Sequence, residues 1–185
     1  IHGCLVGSEM CIRDSRSDTP DVLVAVDPKM LLEIAEGDYI INNNVWSNFN
    51  QMYKKNDKIM NHVQFFQPSL GWSSGPTALK YAADHKPRKI YILGFDYQGH
   101  NDKQRKIFNN LFKDTRNYKR STEEATFFGN WLNQTKRVLK DYPEIEFYRV
   151  VPKEWFKPKD LEWNKNLKHV DIDEFLRIYN LKIKM

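Results

Sequence analysis

Apolar residues in this chain come in short unbroken runs that alternate with segments of helical periodicity. The first run, Val22 to Val26 between Asp21 and Asp27, has the character of a strand buried on both faces. Pro28 stands behind it at a first helical position. Met30, Leu31, Leu32, Ile34 and Ala35 then recur as a buried helix face that Gly37 ends. Tyr39-Ile40-Ile41 predicts a short second strand running into Asn42, Asn43 and Asn44. Residues 45–60 predict a short helix and connector, and Val63-Gln64-Phe65-Phe66 a third strand. Ser73-Ser74-Gly75-Pro76-Thr77 opens a helix through Ala78, Leu79, Tyr81, Ala82 and Ala83, which Pro87 breaks. Lys89-Ile90-Tyr91-Ile92-Leu93-Gly94 follows as a central strand ending at Phe95-Asp96. Buried strand, helix and buried strand, repeated, predict a parallel sheet with right-handed crossovers.

From Gln98 to Arg120 the pattern gives way to a polar, basic segment with a weak helix around Ile107–Phe112. Ser121 or Thr122 is then expected to cap an amphipathic helix, with Glu123 and Glu124 in its first turn. Phe127, Phe128, Trp131, Leu132, Thr135, Val138 and Leu139 form its apolar stripe, and Pro143 ends it before a last strand, Ile145 to Val151. The expected fold is α/β: a doubly wound, mostly parallel, three-layer Rossmann-like domain over residues 16–151. Residues 152–185 are expected to form a helical tail packed on it, with a short helix from Asp171 to Tyr179.

Residues 1–15 stand apart. Cys4 to Asp14 resembles, unbroken over eleven residues, a translated transposase adaptor from sequencing-library preparation. That resemblance implies a non-native segment, a domain that is N-terminally truncated, and a poorly packed start that leaves an apolar groove where a native first strand belongs. The rival possibility is a short native strand, since Cys4-Leu5-Val6 is apolar. Both cysteines lie in this segment, so the remainder offers neither disulfide nor thiol chemistry. A cysteine-free chain without a leader fits a cytoplasmic protein.

Composition narrows the function classes without selecting one. Hydrophobic residues are 41% and charged residues 29% of the 185, a globular balance rather than a disordered one. No stretch has the apolar length of a membrane span. Leaving out residues 1–15 moves the net charge from +5 to +6, 28 basic against 22 acidic residues. That charge favours phosphates, nucleic acid or anionic sugars alike. Oligomeric state is not legible in the pattern.

Ligands of open parallel sheets bind outside the carboxyl ends of the strands, and polar residues gather at the predicted ends: Asp27, Asn42 to Asn44, Gln67 with Ser69, and Asp96. Asp and Asn also favour such loops for purely local reasons. Ser73-Ser74-Gly75 is the sharper signal. Free N–H groups at a helix start attract anions, and glycine lets a phosphate approach the main chain. The same residues serve equally as a capped helix start. They lack the Walker lysine and the dinucleotide-binding glycine spacing. His62, His85 and His169 are scattered, and no carboxylate pair has Asp-x-Asp spacing at a strand end, so no metal is implied.

Gly71-Trp72-Ser73-Ser74-Gly75, a helix, and then Lys89 to Tyr97 resemble the core of bacterial family 42 sialyltransferases. The same residues resemble the related domain similar to 6-hydroxymethylpterin pyrophosphokinase of motility-associated proteins, and uncharacterised marine phage proteins. The likeness is close over about thirty residues and covers residues 21–150 in outline. It implies a nucleotide-dependent transferase, a glycosyltransferase of the sialyltransferase-like kind, in incomplete form and without a bound cofactor beyond a nucleotide-sugar donor as substrate. Ser73, Ser74 and Gly75 would hold the nucleotide or its phosphate, with Asn42, Asn43 and Asp27 nearby and Gly94-Phe95-Asp96 as the adjoining strand end. Arg116 and Tyr118, in a basic segment with Lys103, Arg105, Lys106, Lys113, Lys119 and Arg120, would close over the phosphate as a lid. Relatives carry a general-base histidine after that strand. Here His100 stands earlier than expected, so the catalytic candidates are His100 and Asp96, with the base otherwise unassigned. The competing expectation is a non-catalytic accessory protein that binds nucleotide or nucleic acid through residues 100–120, with Phe108, Phe112 and Tyr118 stacking on bases.

Overall fold

A computed structural model describes residues 5–7, 20–98, 100–102, 105–107, 114, 116–125, 127–162 and 164–180. Its elements run β1 (Leu5–Gly7), β2 (Leu23–Val24), α1 (Pro28–Glu36), α2 (Tyr39–Asn42), β3 (Val45–Ser47), a 3-10 turn (Gln51–Lys55), α3 (Asp57–His62) and β4 (Val63–Phe65). Then come α4 (Ser74–Asp84), β5 (Lys89–Leu93), β6 (His100–Asp102), β7 (Arg105–Ile107), α5 (Gly129–Asp141), β8 (Glu146–Val151), α6 (Lys159–Glu162), β9 (Leu167–Asp171) and α7 (Ile172–Ile178).

The fold is α/β with open, all-parallel sheets of the Rossmann-like kind. One sheet has the order β2-β3-β4 and the other β1-β5-β8-β9, while β6 and β7 pair as a separate antiparallel hairpin. Helix α4 packs against β1, β2 and β5, so it covers the neighbouring edges of both sheets. From those edges the chain winds outward both ways, to β4 on one side and β9 on the other.

Two apolar clusters fill the layers. Leu23, Ala25, Val45 and Val63 meet Leu31, Ile34 and Ala35 of α1 on one face of the smaller sheet. Trp46, from the other face, packs its ring 5.2 Å from Tyr81 of α4. Ile90, Ile92 and Phe147 of the larger sheet meet Leu79 of α4 and Val138 and Leu139 of α5. Tyr91 and Tyr148 face the opposite way, toward Phe175 and Tyr179 at α7. Helices therefore lie on both faces of the strands, as a three-layer arrangement requires.

Four expectations are corrected. Tyr39-Ile40-Ile41 is not a strand: it forms the single helical turn α2, which buries Ile40 and turns Ile41 outward at 43% exposure. A run of three apolar residues has no measurable period, and the strand follows the asparagines as β3 instead of preceding them. The amphipathic helix begins at Gly129, seven residues after Thr122. Glu123 accepts from the Arg120 N–H at 2.7 Å and Asp114 accepts from the Ser121 N–H at 2.8 Å, so this stretch closes local turns instead of capping a helix. The region 152–185 is not only helical, because β9 adds a five-residue parallel strand to the edge at β8. Finally, Leu5–Gly7 lies in the sheet, in parallel register with Tyr91–Leu93. The edge of β5 is an open row of main-chain donors and acceptors, and this short run pairs with it where a groove was expected.

Candidate functional site

Strand direction fixes which loops share an end. The carboxyl ends of the strands carry Asp27, Asn48, Gln67 and the turn Gly94–Tyr97, and each helix that follows a strand starts there. Asp27 caps α1, its carboxylate accepting from the Lys29 N–H at 2.9 Å, and Pro28 needs no acceptor at the first position. Ser73 stands at the N-cap of the 11-residue α4, with Ser74, Gly75 and Pro76 in its first turn. The first N–H groups of a helix have no intrahelical acceptor, and the Ser73 side chain makes no capping bond to them.

Two hydrogen bonds tie that helix start to its neighbours, and a third joins the same turn of α5 to the β5 end. The Val26 N–H at the tip of β2 donates to the Ser74 hydroxyl at 3.1 Å. The Ser73 N–H donates to Gln134 Oε1 of α5 at 3.1 Å. One residue further along α5, Thr135 Oγ1 accepts from the buried Tyr97 hydroxyl at 2.8 Å. Ser73, Ser74, Gly75, Asp27 and Asp96 therefore share one end of the sheet. Beneath Asp27, the fully buried Tyr53 hydroxyl lies toward Ser47, and burial pushes its pKa up.

Sequence patterning did not find the group that organises the β5 end. Arg149 of β8 is 1% exposed. It donates to the carbonyls of Phe95 at 2.6 Å, Phe156 at 2.9 Å and Asp96 at 3.2 Å, and its guanidinium lies 5.2 Å from the Tyr97 ring centre. Burial pulls its pKa down to about 10, against the charge of Asp96. Burial likewise pushes the Tyr97 hydroxyl up. His169 pairs across from Arg149 on β9 and is held down to about 4, by burial first and then by the cations Arg149 and Lys157. An arginine between Tyr148 and Val150, in the interior of a strand, was the available signal.

The chain matches no protein-family model, and it has no significant match among curated proteins or solved structures.

The remaining expected site residues lie elsewhere. Asn42 and Asn43 precede β3, at the amino end of the strands, and Asn43 Nδ2 donates to the Tyr39 carbonyl at 2.8 Å. The sheet thus separates them from Ser74 by its full strand length, because the strand expected before them runs after them. Arg116 and Tyr118 dock on α1 and not on α4. Arg116 donates to Glu36 at 3.1 Å, Asn117 bonds Glu33, and Tyr118 packs on the core under α1. Helix α1 runs back from the carboxyl ends of the strands, so Glu36 and Arg116 sit at the amino end. The lid expected from Arg116 and Tyr118 is therefore not assembled over Ser73–Gly75. His100 begins β6, opposite Ile107, and its side chain lies outside the described residues, as do Lys103, Phe108, Phe112 and Lys113. The weak helix expected over Ile107–Phe112 falls largely outside them too, although Ile107 itself belongs to β7. Among the described residues no cluster of His, Cys, Asp and Glu could hold a metal ion, and no helix is long and apolar enough to cross a membrane.

Proposed function

We propose that this domain binds a nucleotide or nucleotide-sugar phosphate at the start of α4 and belongs to a nucleotide-dependent transferase of the sialyltransferase-like, glycosyltransferase kind. One observation carries the reading: Ser73-Ser74-Gly75 opens a long buried helix at the carboxyl end of parallel strands, bonded to the tip of β2 beside the place where the strand order turns. That is where open α/β sheets receive ligands, and first-turn N–H groups supply donors of fixed direction for phosphate oxygens. Asp27 and the turn at Asp96 would flank the ligand. Charge developing on a departing nucleotide would be stabilised by the α4 N–H groups, which are already in place. Asn42, Asn43, Arg116 and Tyr118 have no part in this version of the site.

The test is calorimetric titration of the full chain with cytidine, uridine and adenosine phosphates, with inorganic phosphate and single-stranded DNA in parallel. Nucleotide binding that Gly75→Val abolishes, with circular dichroism unchanged, supports the reading. Ser73→Ala should weaken binding with little change in Tm, since that side chain caps nothing. DNA binding alone, fading steeply with salt, would replace it with the accessory-protein reading.

A further inference from the structure

The turn Gly94–Tyr97 is held by more bonds than a surface connection needs. Gly94 and Tyr97 both lie in the left-handed region, at φ 77° and φ 55°, a conformation that tyrosine adopts only under constraint. The constraint is visible. Arg149 grips two successive carbonyls of the turn from below, and the Tyr97 ring is buried beside the guanidinium and Phe95. The Tyr97 hydroxyl then reaches out of the turn to Thr135, and the adjacent Gln134 holds the Ser73 N–H. Two consecutive residues of α5 thus bond to the two loops, Thr135 to the β5 turn that Arg149 holds and Gln134 to the N-cap of α4.

We infer that Arg149 and Tyr97 are positioning residues that fix the start of α4 through Thr135 and Gln134, so that the anion site at Ser73–Gly75 is preorganised by the β5 turn. The assignment of ligand rests on the proposed nucleotide reading; the coupling between the two loops does not. Both bonds start from the same turn of α5, so a shift of that turn when the Thr135 bond is lost carries Gln134 with it and loosens its hold on the Ser73 N–H. A preorganised donor set binds an anion without reordering first, which is where the affinity would be gained.

The experiment uses the full chain and two conservative variants, Tyr97→Phe and Thr135→Val, each removing one end of the same hydroxyl bond while keeping most of the side-chain volume. Amide hydrogen exchange without ligand is read at Ser73, Ser74 and Gly75 against the core amides of Leu79 and Ile90. Exchange at Ser73 should speed up about fivefold relative to the core in either variant, as the loss of one neutral hydrogen bond gives. Affinity for inorganic phosphate and cytidine monophosphate, where the unaltered chain binds them, should fall by a similar factor. Uniform acceleration at all sites, or none at Ser73, overturns the coupling. Binding unchanged in both variants overturns the positioning role. An unaltered chain that binds neither probe yet shows the selective exchange effect sinks the nucleotide reading and leaves the coupling standing.

Discussion

At the carboxyl ends of the strands, polar side chains bond to main chain belonging to other elements: Ser74 to Val26, Gln134 to Ser73, Arg149 to Phe95, Asp96 and Phe156. At the amino ends Asn166 also bonds the Leu139 and Tyr142 carbonyls, but the ion pairs among the described residues gather there, exposed to solvent. Lys80 pairs with Asp84 at the foot of α4, Lys89 and Lys168 both reach Glu146, and Arg116 meets Glu36. Bonds of the first kind fix where a loop sits, whereas exposed ion pairs hold little in place and weaken with salt. The contrast is one of degree: loop-fixing bonds to main chain predominate at the carboxyl end and exposed ion pairs at the amino end.

The contrast breaks most sharply at Arg149. Replacement by Met leaves three carbonyls without their donor and should cost roughly 3–5 kcal/mol, lowering Tm by about 10 °C or more. A thermal melt within 2–3 °C of the parent would show that the buried cation organises nothing. Ser74→Ala deprives the Val26 N–H of its acceptor and should cost about 1–2 kcal/mol in urea denaturation. An unchanged urea midpoint would mean that water replaces the hydroxyl.

The histidine tests the same end by pH. His169 is held down to about 4 in the folded chain, from an ordinary 6.5. The unfolded chain therefore binds a proton that the folded one refuses, and this contribution is present above pH 6.5 and is lost as pH falls toward 4. The ring is partly exposed, so the loss should be only about 1 kcal/mol. It should shrink in His169→Gln, compared by Tm at several pH values; equal pH slopes for both proteins would exclude it. Smallest of all should be Arg116→Ala at the amino end, less than about 0.5 kcal/mol. A larger loss there would undo the division between the ends.

The legible parts of the fold were those with a long period or a strong local signal. Asp27-Pro28 announced α1, Ser73 to Thr77 announced α4, and Ile90 to Leu93 announced a strand, because each signal acts within a few residues. Three-residue strands such as β3 carry too little pattern to outrank a neighbouring apolar run, so Tyr39-Ile40-Ile41 took its place and carried Asn42 and Asn43 to the wrong end. The places of Ser73, Ser74, Gly75, Asp27 and Asp96 at the carboxyl ends of the strands were readable, because each stands at a helix start or just after a strand. Gln134, Thr135 and Tyr97 act across long sequence separations, and nothing local marks them. The lid role expected of Arg116 rests on the resemblance and on charge, and neither says which helix a loop will meet.

The pairing of β1 with β5 also sets an order of events. Strands β8 and β9 are joined by a short connection holding one small helix, so their ladder closes at low entropic cost. Strand β1 meets its partner only after every element from β2 to α4 has been passed over, and long loops close slowly. The outer strands should therefore condense early and the three residues of β1 dock last. Until β1 docks, the edge of β5 stays open to any extended peptide that passes.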